Sequence, residues 1–144
     1  MNQFTCYLPL KPISYNESHC VNRGKLQSTW KNNKFKSMVR KHLYESWDNL
    51  QMFAEASNKR SILKARYIFW IPRHKLITKA QNVSKTSLDV DNCVKSLQDS
   101  IFDQLEKINS DLNDAQIVRL TAEKRQSPKN EYGITIYLSE TKLY

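Results

Sequence analysis

Ile62-Leu63-Lys64-Ala65-Arg66-Tyr67-Ile68-Phe69-Trp70-Ile71, closed by Pro72, decides the fold class of this chain. Branched and aromatic side chains of this kind suit a pleated, half-buried surface. A proline lacks the backbone donor that a strand needs to continue. The stretch therefore predicts a strand over 62–71. Phe69 and Trp70 are neighbours and should point to opposite faces of a sheet. One is expected to pack under helices, and the other to cover the far face or serve an interface.

Working outward, residues 30–56 place Phe35, Met38, Val39, Leu43, Trp47, Leu50 and Phe53 at spacings of three and four. That periodicity predicts one long amphipathic helix, basic in its first half through Lys31, Lys34, Lys36, Arg40 and Lys41. Ser57-Asn58-Lys59 reads as the turn that follows. Residues 13–28 are polar, with turn chemistry from Asn16, Ser18, Asn22 and Gly24, and are expected to be irregular. Phe4, Cys6, Leu8 and Leu10 alternate with Thr5 and Tyr7, which predicts an opening strand limited by Pro9 and Pro12.

Downstream, 73–88 reads as a basic loop. Val94, Leu97, Ile101, Leu105 and Ile108 predict a second helix over 91–108. Residues 116–124 and 132–138 predict two last strands, joined as a hairpin through Pro128, Lys129 and Asn130. The order β-α-β-α-β-β predicts a single α+β domain over 1–144, with a mixed four-stranded sheet packed on two helices.

The 144 residues suffice for one real core. No apolar run approaches the roughly 18 residues of a membrane span, and no secretory leader pattern opens the chain. Cys6, Cys20 and Cys93 are odd in number and widely spaced, which favours neither a disulfide framework nor a zinc site. A reducing, cytoplasmic setting is expected.

A net charge of +9 points to a polyanionic partner. The charge is also sorted along the chain. Residues 56–88 carry eight Lys and Arg and no acid. Residues 89–114 then hold seven of the fourteen acids, namely Asp89, Asp91, Asp99, Asp103, Glu106, Asp111 and Asp114. The boundary falls at Asp89-Val90-Asp91-Asn92-Cys93-Val94-Lys95. In an extended segment, residues i and i+2 face the same way, so Asp89 and Asp91 can share a site. Carboxylates of this kind suit Mg²⁺, which prefers oxygen ligands. On the segment alone, the reading of Asp91 or Asn92 as a helix cap with an Asp91–Lys95 ion pair is the favoured one. A calcium loop fails, because Val94 would occupy its glycine position and Ser100 its final acid. His19, His42 and His74 are scattered, and none is placed as a general base.

Asp89-x-Asp91-Asn92-x-x-Lys95, then Asp99, then Asp114-Ala115-Gln116-Ile117 and Lys124, resembles the RusA-type Holliday junction resolvases. Leu8-Pro9-x-x-Pro12-x-Ser14-x-Asn16 also resembles the opening of that family, and the likeness covers about residues 6–138. The resemblance implies a small homodimeric endonuclease. Asp89, Asp91 and Asp114 would bind the catalytic Mg²⁺, for which Mn²⁺ is expected to substitute, and Lys95 would assist at the scissile phosphate. Asp99 matches a recurrent acid and Lys124 a recurrent lysine of unassigned role. The family usually has paired acids where this chain has Asn113-Asp114, and Asn113 and Asp111 stay open as alternatives beside Asp114. Lys75, Lys79 and Lys85, with Arg73 and the basic start of the first helix next, are expected to contact the DNA backbone. A C2 dimer would match the two-fold symmetry of a four-way junction. Two other readings compete. One is a non-catalytic basic nucleic-acid-binding protein, and the other is a metal nuclease acting on other branched DNA or RNA.

Overall fold

The structure, a computed structural model, describes residues 2–143. Strand β1 (Gln3–Leu8) buries Phe4, Cys6 and Leu8 and exposes Gln3, Thr5 and Tyr7, as the alternation predicts. A one-turn helix, α1 (Tyr15–Ser18), follows. The predicted irregular stretch then forms a hairpin of β2 (His19–Asn22) and β3 (Lys25–Ser28). Its turn residues Arg23 and Gly24 both take positive φ, at 52° and 76°, which is the backbone of a tight type I′ hairpin. Both faces of this ribbon meet water, so no alternation marks it in the sequence.

The single helix expected over 30–56 is two helices. They are α2 (Trp30–Leu43) and α3 (Trp47–Ala56), separated by a 3₁₀ turn at Tyr44–Ser46. The apolar spacing continues across the break because both halves pack on one core, through Phe35, Val39 and Leu43 and then Leu50 and Phe53. Strand β4 (Leu63–Ile71) forms where predicted. Phe69 is buried in the core, whereas Trp70 lies on the other face with its Nε1 donating to Thr135 Oγ1 at 2.8 Å. The basic loop contains one helical turn, α4 (Arg73–Leu76), and a lone bridge from Ile77 to Val83. Helix α5 (Val90–Ile108) follows, with Leu97, Ile101 and Leu105 fully buried.

After a 3₁₀ turn at Asp114–Gln116 come β5 (Ile117–Gln126) and β6 (Gly133–Glu140). They do not form the predicted hairpin. The sheet order is β1-β6-β4-β5, so β4 separates them. β5 runs parallel to β4, whereas β6 runs antiparallel to both β4 and β1. The segment between β5 and β6 passes the end of β4, where Ser127 N–H donates to Ile71 carbonyl at 2.9 Å. Two long sequential strands read as a hairpin by default, but here β4 supplies a partner for each. The α+β class and the mixed four-stranded sheet stand. α2, α3 and α5 all join one core on one face of it. Lys64, Arg66 and Trp70 of β4, Tyr137 of β6 and Tyr7 of β1 line the other face. Gly133 sits beneath Tyr7, where a β-carbon would collide with the ring.

Candidate nuclease site

β4, α5 and β5 form a strand-helix-strand crossover between parallel neighbours. In such units, ligands gather at the carboxyl ends of the strands. The acid-rich start of α5 lies at that end. Asp89 is the N-cap residue of α5, in place of Asp91, although its side chain makes no capping hydrogen bond. It accepts only a long bond from Asn92 Nδ2, at 3.4 Å. Asp91 lies in the first helical turn, where the helix dipole favours negative charge. Both acids are exposed, and neither belongs to an ion pair among the described residues.

Lys124 reaches this end from β5. Its Nζ donates to Ser87 Oγ at 2.6 Å and to Leu88 carbonyl at 3.1 Å, immediately before Asp89. The lysine therefore ties the entry to α5 onto the sheet. Buried Cys93 records the surrounding charges. Burial above all, then Glu17 and Asp89, push its thiol up to about 12, against the pull of Lys124.

Lys95 lies one turn after Asp91 but pairs forward, with Asp99 Oδ1 at 3.2 Å. That hydrogen bond chiefly, with a smaller contribution from Asp114, raises the Lys95 pKa above its ordinary value. Asp114 is half-buried in the 3₁₀ turn before β5. Its charge also adds to the burial that raises the Tyr67 pKa, and the Tyr67 hydroxyl donates to Gln98 Oε1 at 2.9 Å. The charge of Asp114 is thus felt at both Lys95 and Tyr67. Asn113 is occupied as a cap, with Oδ1 accepting from Ala115 N–H at 2.7 Å while its own N–H donates to Gln116 Oε1 at 2.8 Å. An asparagine at this position builds the turn that presents Asp114. Asp111 is exposed in the preceding turn.

Among the described residues, no group of three or more His, Cys, Asp or Glu side chains is arranged to hold a metal ion. Asp89 and Asp91 nevertheless fit Mg²⁺, which is commonly held by one or two carboxylates and keeps several waters for exchange with substrate phosphate. A three-carboxylate cage is not preassembled.

Helix α1 is the part of this neighbourhood that the sequence reading missed. Ser14 caps it, accepting from Glu17 N–H at 3.3 Å, and the Ser-x-x-Glu spacing of Ser14 and Glu17 is a legible helix-start signal. Ser18 is buried and accepts from Ser96 Oγ of α5 at 3.0 Å, which places Glu17 near the start of α5. His19 stacks on Tyr15 with ring centroids 4.3 Å apart, and its Nδ1 lies 2.6 Å from Ser18 Oγ. His74 is exposed, and His42 is partly buried with Nδ1 3.7 Å from Glu45.

In the basic loop, Lys75, Lys79 and Lys85 are exposed and without ion-pair partners among the described residues. Arg73 instead organises the loop, donating to Gln126 Oε1 at 3.1 Å and Gln81 Oε1 at 3.0 Å. No described helix is long and apolar enough to cross a membrane.

No curated protein gives a significant match to the chain. A family model described as Endodeoxyribonuclease RusA matches residues 9–137, a span that runs from the end of β1 to within β6 and includes the entire acid-bearing end of α5. The chain belongs to the RusA endodeoxyribonuclease family.

Proposed function

We propose that this protein is a structure-selective endonuclease that resolves four-way DNA junctions in recombination and repair, with a divalent cation held at Asp89 and Asp91. The observation that carries the reading is a pair of acids left without basic partners at one helix end, on a chain of net charge +9. Twenty-three Lys and Arg are present, yet none neutralises Asp89 or Asp91 in a described ion pair. Asp89 and Asp91 would hold Mg²⁺, or Mn²⁺ in its place, which when bound would supply activation of water and neutralisation of phosphate charge.

The chain's own residues do the rest. Asp89 and Asp91 supply the ligand charge, and Asp114 contributes the third carboxylate of the family pattern. Lys95, kept protonated by Asp99 and Asp114, is a positive charge for oxygens of the scissile phosphate. Lys124 fixes the direction in which Asp89 enters the site. Lys75, Lys79 and Lys85 hold backbone phosphates, which gives affinity and register without sequence information, and Arg73 shapes the loop that carries them. A C2 homodimer supplies two sites for symmetric cutting of a two-fold substrate. Unpaired Cys6, Cys20 and Cys93 suit a reducing cytoplasm.

The test is cleavage of a synthetic four-way junction with and without Mg²⁺. Paired symmetric nicks are expected. Asp91→Asn should lower the cutting rate by more than the roughly 10–100-fold that loss of an outer-shell partner costs, while junction binding persists. Unimpaired cutting by this variant would overturn the site. Salt-sensitive binding with no cutting under any divalent ion would make the protein a non-catalytic nucleic-acid binder. Equal cutting of flaps, duplex and RNA would remove the junction selectivity.

A further inference from the structure

We propose that the cleft beside Trp30 receives one unstacked nucleobase from branched DNA. This inference rests on the nucleic-acid reading given above and extends it to a second contact surface. Trp30, the first residue of α2, is 70% exposed. The other two tryptophans have structural work, since Trp47 packs against the core and Trp70 donates to Thr135. Trp30 instead lines a cleft of about 270 Å³. That is below the roughly 300–1,000 Å³ usual for drug-sized ligands, and suits a single planar ring system.

The base of the cleft is apolar, formed by the buried Leu10, Ile13 and Phe35. Its surroundings are basic. Lys31 and Lys34 come from the first turns of α2, and Lys11 is steadied with Nζ 5.2 Å from the Tyr132 ring centroid. The one acid lining it, Glu17, is already paired with Lys31 at 3.8 Å. An exposed aromatic side chain beside an apolar base, with lysines around it, combines the two means by which proteins hold unpaired nucleotides, which are stacking on the base and charge on the backbone. The position also fits. Glu17 adjoins Ser18, which bonds Ser96 of α5, so the cleft lies across α1 from the acid-bearing helix end. A base displaced at a branch point, and no base of an intact duplex, is free to enter it.

A binding cycle in EDTA tests the inference without cleavage. The probes are a four-way junction, the same junction with an abasic site at each branch-adjacent position in turn, and a fully paired duplex. Stacking is worth roughly 1–3 kcal/mol per base, and 1.4 kcal/mol is tenfold. Trp30→Ala is therefore expected to weaken junction binding about tenfold and duplex binding less than about twofold, with Trp30→Tyr restoring most of the loss. One abasic position should cost the wild type about tenfold and Trp30→Ala less than about twofold, the non-additivity that marks a direct contact. Quenching of tryptophan emission by the junction should vanish in Trp30→Tyr. Unchanged junction affinity of Trp30→Ala, or losses that simply multiply at every abasic position, would overturn the proposal. Wild-type cutting in Mg²⁺ is scored separately. A protein that cuts while Trp30 is inert loses this inference alone, and one that shows the coupling but never cuts loses the nuclease reading alone.

Discussion

Helix α5 and the β2–β3 hairpin meet the same neighbour, α1, and are held in opposite ways. Along α5, Leu97, Ile101 and Leu105 are removed from water altogether. In the hairpin, the cross-strand partners Val21 and Leu26 remain 72% and 60% exposed. Burial contributes roughly 25 cal/mol per Å² of apolar surface, so α5 is anchored by packing and the ribbon is not. A two-stranded hairpin alone is marginal in water. This one is held at its base by polar bonds, with Thr29 Oγ1 donating to Glu17 carbonyl at 2.7 Å and Thr29 N–H to Ser18 carbonyl at 2.8 Å. Groups that act on a phosphate need fixed positions, which packed elements such as α5 provide and the ribbon does not.

The comparison breaks first at the core. Leu97→Ala should cost about 2–5 kcal/mol in urea unfolding, whereas Val21→Ser with Leu26→Ser should stay within about 0.5 kcal/mol. Similar losses would mean that the ribbon is packed after all. Next in size, Lys124→Met releases residues 87–88 from β5. Cutting is expected to fall about 10–100-fold, the range for partners that orient a ligand, with stability changed by no more than about 1 kcal/mol. A fully active variant would separate Lys124 from the placement of Asp89. Lys75→Ala and Lys79→Ala should each lower the slope of log affinity against log salt by about 0.9. An unchanged slope would make both residues solvated charges with no phosphate contact.

The smallest perturbation is chemical labelling. Cys20, on the hairpin, is exposed, whereas burial pushes Cys6 and Cys93 up to about 12 from 9.0. A thiol reagent at pH 8 should modify one cysteine in the native protein and all three in urea. Cys6 and Cys93 ionise near pH 9 in the unfolded chain, whereas burial keeps both protonated there in the native state. Their contribution to stability is therefore complete below about pH 9 and is lost as pH rises through the folded values. Rapid native labelling of Cys93 would show the start of α5 opening as readily as the ribbon.

The sequence makes α5, β1 and β4 legible for one reason. Each buries one side, or nearly both, so Val94-Leu97-Ile101 and Phe4-Cys6-Leu8 carry a period. The ribbon buries neither face and has none to show. The break between α2 and α3 hides because Leu43 and Leu50 serve the same core on either side of it. The place of β6 between β1 and β4 is a choice among partners distant in the chain, and local patterns do not encode it. At the proposed site, Asp89, Asp91, Lys95 and Asp114 stand out by residue type and spacing. The contact of Lys124 with Ser87 and of Ser18 with Ser96 spans 37 and 78 positions, and neither has a local signature.

The pairing of Gln3 with Ser139 and of Leu8 with Ile134 has a consequence for how the protein comes into being. β1 leaves the ribosome well before β6 and must wait for it. Contacts so distant in sequence are slow to form. Until they close, Phe4 and Leu8 lack the strand beside them, and β4 lacks one of its two neighbours. A nascent chain that already displays Asp89, Asp91 and Asp114 is therefore not yet a folded enzyme. The sheet order makes synthesis through β6 a condition for a closed sheet.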